Sequence, residues 1–284
     1  MWLGGLLALA GLIAFIVWTP GGLLRKIDYV GAAVCHRRLS HSFVTAGGQL
    51  PLCQRCTGTF PGALTGVLVY WVGWRRRRSL RFPRWPFFVP LGFFAAFWGL
   101  DGLNSATSES QFYPLMAQIA PRPPGIGLLG YAPQPWLRLL TGALMGIAMS
   151  TVLVPAFNQS LWADGESTPT LRTWHELALL VAVALGMAAL FLGLVAVPFG
   201  IVHYALSVYS GLGVLALFML LGAMMFVLVM QRDGTLTGWG DAWIPLVWGG
   251  VFALFVILLM TAVRIWATGT IDGVPGLAWL PAIT

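Results

Sequence analysis

The chain has 284 residues, of which 58% are hydrophobic and only 9% are charged. Its mean hydropathy is +0.82, and a soluble domain would carry about 25% charged residues. This composition excludes a soluble globular domain and indicates an integral membrane protein. The formal charge of +7 does not indicate nucleic-acid binding, because six of the sixteen basic residues lie between Arg75 and Arg84. A short basic run next to apolar segments typically sets the orientation of the protein in the membrane and contacts anionic lipid.

The first apolar run, residues 2–18, contains no charged residue. It lacks the basic start and the small-residue cleavage site of a secretory signal, so we expect a retained first membrane helix. The following residues, 23–33, include Arg25, Lys26 and Asp28 and are too polar to span a bilayer. We expect this second segment to lie along the membrane interface and to lead into the cysteine-containing stretch.

Six further apolar runs follow, each near the roughly 20 residues that a bilayer requires. They cover residues 58–74, 87–103, 136–154, 175–199, 204–230 and 242–268. We therefore predict an all-α fold, a polytopic transmembrane helical bundle of about seven spanning helices. A long polar, Pro/Gly-rich loop is expected at residues 104–134. A polar linker that begins at Asn158 separates an N-terminal membrane half, residues 1–157, from a C-terminal three-helix half, residues 158–284.

Two of these helices carry a small residue at every fourth position. The positions are Gly58, Gly62 and Gly66 on the second helix, and Gly142, Gly146 and Ser150 on the fourth. This spacing places each set on one helix face and permits close approach of a neighbouring backbone. We predict that the second and fourth helices pack against each other.

All three cysteines and two of the four histidines lie between Val34 and Gly58. A CxxC spacing suits two metal ligands from one turn, and thiolates with imidazole favour zinc or another divalent transition metal. The predicted ligands are Cys35, His36, Cys53 and Cys56, with His41 as the alternative imidazole. Two other interpretations stay open: a Cys53–Cys56 pair that cycles between dithiol and disulfide, and three small buried residues with no role. A c-type haem is excluded because Thr57, not histidine, follows the CxxC.

Counting membrane crossings brings two distant polar residues to the cysteine side. The third helix returns to that side near Asp101, and the fourth begins there near Arg138. The chain reaches the same side again at His203, between the fifth and sixth helices. A carboxylate this close to an apolar segment is costly unless it is paired, ligated or solvated. We expect Asp101 to pair with Arg138 or with a donor from the loop. In a functional interpretation, Asp101 and Arg138 are the candidate catalytic residues, with Asp101 as a fourth ligand or a base.

The arginine-rich loop also suggests an orientation, because positively charged loops remain in the cytoplasm. If residues 75–84 are cytoplasmic, the cysteine side is external. We expect the protein in the plasma (inner) membrane, with membrane lipids as its partners and no nucleic acid.

Several short motifs resemble one family, the predicted membrane proteins catalogued as domain of unknown function 2085. They are Cys35-His36, Ser42-Phe43, LPLCQRCTG at residues 50–58, Asp101-Gly102 and LRLLTG at residues 137–142. The resemblance covers about residues 30–150 and implies a membrane protein with a shared polar site and no established activity. The chain departs from the family pattern at His41, where the family has arginine, and it lacks the asparagine that usually precedes LRLxTG.

Three classes of function are compatible with these residues. The first is a membrane metalloprotein, including a metal-dependent enzyme that acts on a lipid or isoprenoid substrate. The second is a membrane thiol oxidoreductase that passes electrons to a quinone through the CxxC pair. The third is a non-catalytic membrane module or transporter in which the metal is structural.

Overall fold

The computed structural model describes residues 2–108, 123 and 125–273. Eight α-helices occur in this part of the chain. They are α1 (Trp2–Trp18), α2 (Leu23–Val34), α3 (Gln54–Leu68), α4 (Phe88–Thr107), α5 (Pro135–Leu161), α6 (Trp174–Val195), α7 (Gly200–Val229) and α8 (Trp239–Thr268). Because α4 continues to Thr107, the loop predicted at residues 104–134 begins later. Residues 109–122 and 124 of that loop lie outside the described residues.

Short strands connect some of these helices. An antiparallel hairpin of β1 (Ser42–Thr45) and β2 (Gly48–Cys53) precedes α3. A parallel pair of β3 (Ser79–Arg81) and β4 (Glu166–Pro169) joins the loop after α3 to the loop after α5. A π-helical turn, Val69–Gly73, extends α3 toward the arginine-rich loop.

The predicted fold class, an all-α membrane-spanning bundle, is confirmed. Within the described residues, α4 to α8 are each long and apolar enough to cross a membrane. A sixth span results if α1 and α2, which meet at a bend of 106°, are counted as one. The described chain therefore supports five to six spans, where the sequence predicted about seven, because α1 has 17 residues and α3 only 15.

The predicted packing of the two small-residue faces is confirmed, since α3 lies directly against α5. A Cβ atom at Gly58 would collide with the carbonyl oxygen of Leu139, and one at Gly146 with that of Thr59. Gly142 lies equally close to the carbonyl of Arg55. Backbone therefore meets backbone along this interface, which we call the glycine interface (Gly58, Gly62, Gly66, Gly142, Gly146).

The first two helices pack against the last two. Tyr29 of α2 accepts a hydrogen bond on its carbonyl from Thr261 of α8 at 3.0 Å. Phe15 of α1 and Ile257 of α8 belong to the same apolar cluster. The sequence boundary at residue 157 lies inside α5, so the two halves of the chain share a common core.

The arginine-rich loop lies at the far end of α3 from the cysteines. The twenty residues from Gln54 to Gly73 correspond to about 30 Å of helix. Arg76 of this loop is buried and pairs with Glu176 of α6, and Arg78 pairs with Asp164 at 3.2 Å. At least two of these arginines thus hold the protein together in addition to any contact with lipid.

We predict that the glycine interface does not tolerate a methyl group. Gly146→Ala should lower the thermal midpoint of the detergent-solubilised protein, because overpacking a tight interface costs about 1–3 kcal/mol. Gly186→Ala is the matched control, since a Cβ atom there meets nothing within 4 Å. Equal midpoints for the two variants would contradict the backbone contact at Gly146.

We also predict that the arginine-rich loop and the start of α5 lie on opposite sides of the membrane. Arg77 and Gln134 are both exposed, so single cysteines introduced there should react with an impermeant maleimide from opposite sides of sealed vesicles. The unmodified chain sets the background, because Cys35 and Cys53 are buried and any reaction of the half-buried Cys56 is measured there. Reaction of both introduced cysteines from the same side would refute the crossing count.

Candidate metal centre and the adjoining polar cluster

Three thiols meet where α2, β2 and α3 come together. The sulfur atoms of Cys35, Cys53 and Cys56 all lie within 4.8 Å of one another. In a tetrahedral zinc site, two sulfurs that each lie about 2.3 Å from the ion are about 3.8 Å apart, so small side-chain movements would bring these three sulfurs onto one ion. The backbone N–H of Cys53 donates to the sulfur of Cys35 at 3.1 Å. Among the described residues, this group of side chains has the geometry of a candidate metal centre.

A strained turn after His36 brings Cys35 to the other two thiols. Arg37 has φ +51°, in the left-handed region that a non-glycine residue seldom adopts. Its side chain, only 2% exposed, donates to Asp28 Oδ1 at 2.7 Å, to the Pro51 carbonyl at 3.0 Å and to Asp272 Oδ1 at 3.1 Å. These three bonds hold the turn in place despite its strain.

A second arginine, Arg264 of α8, binds the same turn from the C-terminal side of the chain. It donates to the carbonyl oxygens of Ala32 at 3.1 Å, Cys35 and His36 at 2.8 Å. These carbonyls lie in the last turn of α2 and directly after it, where helical hydrogen bonds run out. Within the described residues Arg264 contacts carbonyls rather than a carboxylate, so its charge remains to balance thiolates.

The two histidines of the cysteine segment have different neighbours. Nδ1 of His36 accepts from the backbone N–H of Arg38 at 3.1 Å, and the same ring hydrogen-bonds the sulfur of Cys53. His41 instead accepts from the guanidinium of Arg138 at 3.4 Å. Burial and the charge of Arg138 lower the pKa of His41 to about 4, so it is a neutral acceptor at physiological pH. Of the two rings, His36 is thus the one that interacts with Cys53, although no histidine nitrogen lies within 4.8 Å of all three sulfurs.

The pKa values of Cys35 and Cys53 shift in opposite directions. Hydrogen bonds from Cys35 and Cys56, and then from His36, hold the pKa of Cys53 well below its usual range. The pKa of Cys35 rises to about 12, chiefly because its thiol donates to Cys53. Of the three thiols, Cys53 is therefore the one that these hydrogen bonds favour most for deprotonation.

Asp101 is completely buried beside this group, and its partners differ in part from the predicted ones. Arg55 of α3 donates to it at 2.5 Å and the hydroxyl of Tyr131 at 3.0 Å. The expected loop donor is therefore confirmed as Tyr131. The other alternative, Arg138, forms no ion pair with Asp101, and Arg55, which lies between Cys53 and Cys56 in sequence, supplies the counter-charge instead.

Arg138 is also buried, at 6% exposure, but it has no carboxylate partner among the described residues. It donates to the hydroxyl of Ser105 at 3.2 Å, to the side-chain oxygen of Gln54 at 3.1 Å and to His41. Arg55 donates to the same Ser105 hydroxyl at 3.0 Å. We call the set Gln54, Arg55, Asp101, Ser105 and Arg138 the polar cluster; it holds two cations and one anion.

The predicted convergence of distant residues is observed, although the number of spans differs from the predicted count. Cys53 adjoins Gln54 of the polar cluster, and the ring of His203 lies against Gly48 of the hairpin. Asp101 is not among the side chains within 4.8 Å of the thiols.

Sequence reasoning did not single out Arg55 or Arg264. A signal existed for both: Arg55 stands inside the CxxC, and Arg264 is an ionisable residue in an apolar run.

These residues can now be compared with known proteins. Residues 35–152 match the family described as predicted membrane protein (DUF2085). The resemblance seen in the motifs is thereby confirmed over this segment. No curated protein and no solved structure matches the chain. The DUF2085 segment includes the three thiols and the polar cluster, whereas Arg264 and Asp272, which hold the turn at Arg37, lie outside it.

We predict that Arg55 is required for stability because it is the counter-charge of a buried carboxylate. Removing one partner of a buried ion pair costs about 3–5 kcal/mol, so Arg55→Met should lower the thermal midpoint strongly. Adding Asp101→Asn to that variant should restore part of the loss, because a neutral amide needs no counter-charge. Arg232→Met, at an exposed arginine, is the control. An unchanged midpoint in Arg55→Met would contradict the pairing.

Proposed function

We propose that this chain is an integral membrane metalloprotein that acts on a lipid or isoprenoid substrate at one membrane surface. In this proposal Cys35, Cys53, Cys56 and His36 hold one zinc or similar divalent transition-metal ion. The observation that carries it is the approach of three thiols to within 4.8 Å. None of the three cysteines is in a disulfide.

The chemistry of the donors supports this assignment. Three thiolates with one neutral imidazole and one divalent ion carry a net charge of −1, and Arg264 lies against the backbone of two of these residues. The location of Cys56 in the first turn of α3 further favours thiolates, because the helix N-terminus carries positive partial charge. Coordination through Nε2 of a neutral His36 would place the proton on Nδ1. The hydrogen bond that Nδ1 accepts from the backbone N–H of Arg38 would then be lost.

A bound ion would have two consequences that follow from general chemistry. Its binding free energy becomes folding free energy, so it would join α2, the hairpin and α3. A zinc ion held by protein thiolates and imidazole supplies either structural cross-linking or, with a position open to substrate, Lewis-acid chemistry.

The residues of the polar cluster are the proposed substrate contacts. Within the described residues Arg138 contacts only neutral groups, and we propose that it binds an anionic group of the substrate. Asp101, held by Arg55 and Tyr131, is a fixed carboxylate that orients a donor on the substrate or the guanidinium of Arg55. We further propose that this side faces outward from the plasma (inner) membrane, on the basis of the arginines at the other end of α3.

A second candidate, a thiol oxidoreductase, is favoured by the stabilised Cys53 thiolate beside Cys56. In that function the two thiols form a disulfide and transfer two electrons and two protons to a quinone. This interpretation requires a metal-free protein with a reversible Cys53–Cys56 disulfide, so metal content separates it from the first.

We predict roughly one zinc-like ion per chain after purification under reducing conditions, measured by elemental analysis. Cys53→Ser should lower both the metal content and the thermal midpoint, because it removes a ligand and the cross-link together. His36→Ala should also lower the metal content, whereas His41→Ala should retain the ion. His175→Ala is the matched control, since this exposed histidine lies in the first turn of α6.

Metal-free protein with a reversible Cys53–Cys56 disulfide would refute the metal site and support the oxidoreductase. Full metal content in Cys53→Ser would refute the ligand assignment itself. Loss of metal in His41→Ala with retention in His36→Ala would show that His41, and not His36, is the ligand.

A further inference from the structure

A cavity of about 650 Å³ lies where α7 ends and α8 begins. Its lining combines two charged side chains, Arg232 and Asp241, with apolar side chains that include Phe226. Between the two helices, the carbonyl of Thr237 accepts a hydrogen bond from Arg78 of the arginine-rich loop at 2.7 Å. The cavity is therefore at the end of the protein opposite the thiols, and its volume is within the range of sites for small ligands.

The two charged side chains of this cavity do not neutralise each other. Within the described residues, neither Arg232 nor Asp241 makes a side-chain hydrogen bond or an ion pair. Each charge alone has a simple explanation: Arg232 is solvated, and Asp241 is in the first turn of α8, where the helix dipole favours a carboxylate. Neither explanation accounts for two opposite charges that line one cavity without pairing. A ligand with a cation and an anion of its own would complement both.

The backbone fixes the position of Arg232 at the end of α7. The N–H of Arg232 donates to the carbonyl of Val227 at 3.0 Å, and the N–H of Gln231 donates to that of Leu228 at 3.0 Å. This is the Schellman pattern of helix termination, whose left-handed residue is usually glycine. Here it is Gln231, with φ +51°. These hydrogen bonds hold the chain in this turn in spite of its strain.

The loop that follows is attached to the end of α5 by three backbone hydrogen bonds. The N–H of Gly234 donates to the carbonyl of Ser160 at 2.9 Å, and the N–H of Leu236 donates to that of Leu161 at 2.9 Å. The carbonyl of Leu236 in turn accepts from Ala163 at 3.0 Å. Because Leu236 lines the cavity, this wall is already ordered, and an ordered wall lowers the entropic cost of binding.

An apolar groove of about 300 Å³ adjoins the cavity on the same two helices. On both α7 and α8 its lining residues are spaced i, i+3, i+4 and i+7, so each helix contributes one face. Phe226 lines both the groove and the charged cavity, and its ring stacks on Trp248 at a centroid distance of 5.4 Å. Val229 and Phe255 of the groove are exposed on the outer surface of two spanning helices. The groove therefore adjoins the charged cavity at Phe226 and faces the bilayer.

We propose that the cavity and the groove bind phosphatidylethanolamine, with its phosphate at Arg232, its primary ammonium at Asp241 and an acyl chain in the groove. The head of this lipid carries one anion and one cation, as the cavity does. The proposal goes beyond the proposed function and does not rest on it, because this site lies at the other end of the protein from the thiols.

The lining of the cavity favours this head group over two others. An anionic head such as that of phosphatidylglycerol would leave the carboxylate of Asp241 without a cation. A quaternary ammonium is typically recognised by several aromatic faces, whereas Phe226 is the one aromatic residue among the described residues that line the cavity. A primary ammonium donates charge-assisted hydrogen bonds to a carboxylate, and a quaternary ammonium has no N–H to donate.

The test is lipid binding to the full-length protein in neutral detergent, measured by native mass spectrometry with lipids that all carry two octanoyl chains. Phosphatidylethanolamine should bind about tenfold more tightly than phosphatidylglycerol or phosphatidylcholine, because each of these lacks the hydrogen bonds of the ammonium group. Glycerophosphoethanolamine supplies the same head without chains. It should bind at least about tenfold more weakly than the lipid, because it buries no hydrocarbon.

Two charge variants test the head-group contacts separately. Asp241→Asn should weaken phosphatidylethanolamine about tenfold without weakening phosphatidylglycerol, whereas Arg232→Gln should weaken both about tenfold. Asp233→Asn and Arg84→Gln remove the same charges at exposed positions outside the cavity, so they should leave both affinities unchanged. Because Arg232 and Asp241 are exposed, their variants should keep the thermal midpoint measured without lipid.

A third variant tests the groove. Val229→Phe fills part of it and should weaken phosphatidylethanolamine about fivefold, because less hydrocarbon is buried. Val263→Phe is the matched control, since this valine of α8 is also exposed but does not line the groove.

Four results would overturn the proposal. Equal affinity for the three lipids would show that the ammonium group makes no contribution, and equal weakening by Asp241→Asn and Asp233→Asn would show that Asp241 has no specific role. Equal affinity for glycerophosphoethanolamine would assign the cavity to a soluble zwitterion. Equal weakening by Val229→Phe and Val263→Phe would show that the chain binds apolar surfaces without preference. Absence of metal from the protein, in contrast, would refute only the proposed metal site.

Discussion

The close approach of α3 and α5 is the constraint on which the rest of this structure depends. Their glycines bring backbone to backbone, and Gly142 lies against the carbonyl of Arg55. This contact sets the separation between the CxxC turn of α3 and the first turn of α5. Arg55 and Arg138 can therefore share the hydroxyl of Ser105. A bulkier residue in the glycine interface would move α3 and α5 apart. The thiols and the polar cluster would then be separated even though none of their own residues had changed.

A second constraint comes from the C-terminal part of the chain. Arg264 binds the carbonyls after α2, and Asp272 binds Arg37, whose left-handed backbone turns Cys35 toward the other thiols. The matched DUF2085 segment ends at residue 152, so residues beyond it complete the turn on which the candidate metal centre depends. This gives the last membrane helix a structural connection to the site.

The polar cluster and Arg264 together carry three cations and one anion. An unpaired cation in or near a bilayer is costly, yet Arg138 and Arg264 both lack a carboxylate partner within the described residues. Arg264 binds the backbone of Cys35, and Arg138 shares the hydroxyl of Ser105 with Arg55, the partner of the buried Asp101. Burial of these charges without anionic partners raises the free energy of the folded state.

The sequence by itself determined the membrane class, the small-residue faces of two helices, and the gathering of Cys35, Asp101 and Arg138 on one side. These follow from composition, helical periodicity and crossing number, which are local or topological properties. Only the tertiary structure decided that Asp101 pairs with Arg55, that His36 adjoins Cys53 while His41 meets Arg138, and that Arg264 holds the cysteine turn. Such pairings depend on how packed helices are rotated and crossed, to within a few ångströms. The spacing of residues along the chain does not determine this geometry.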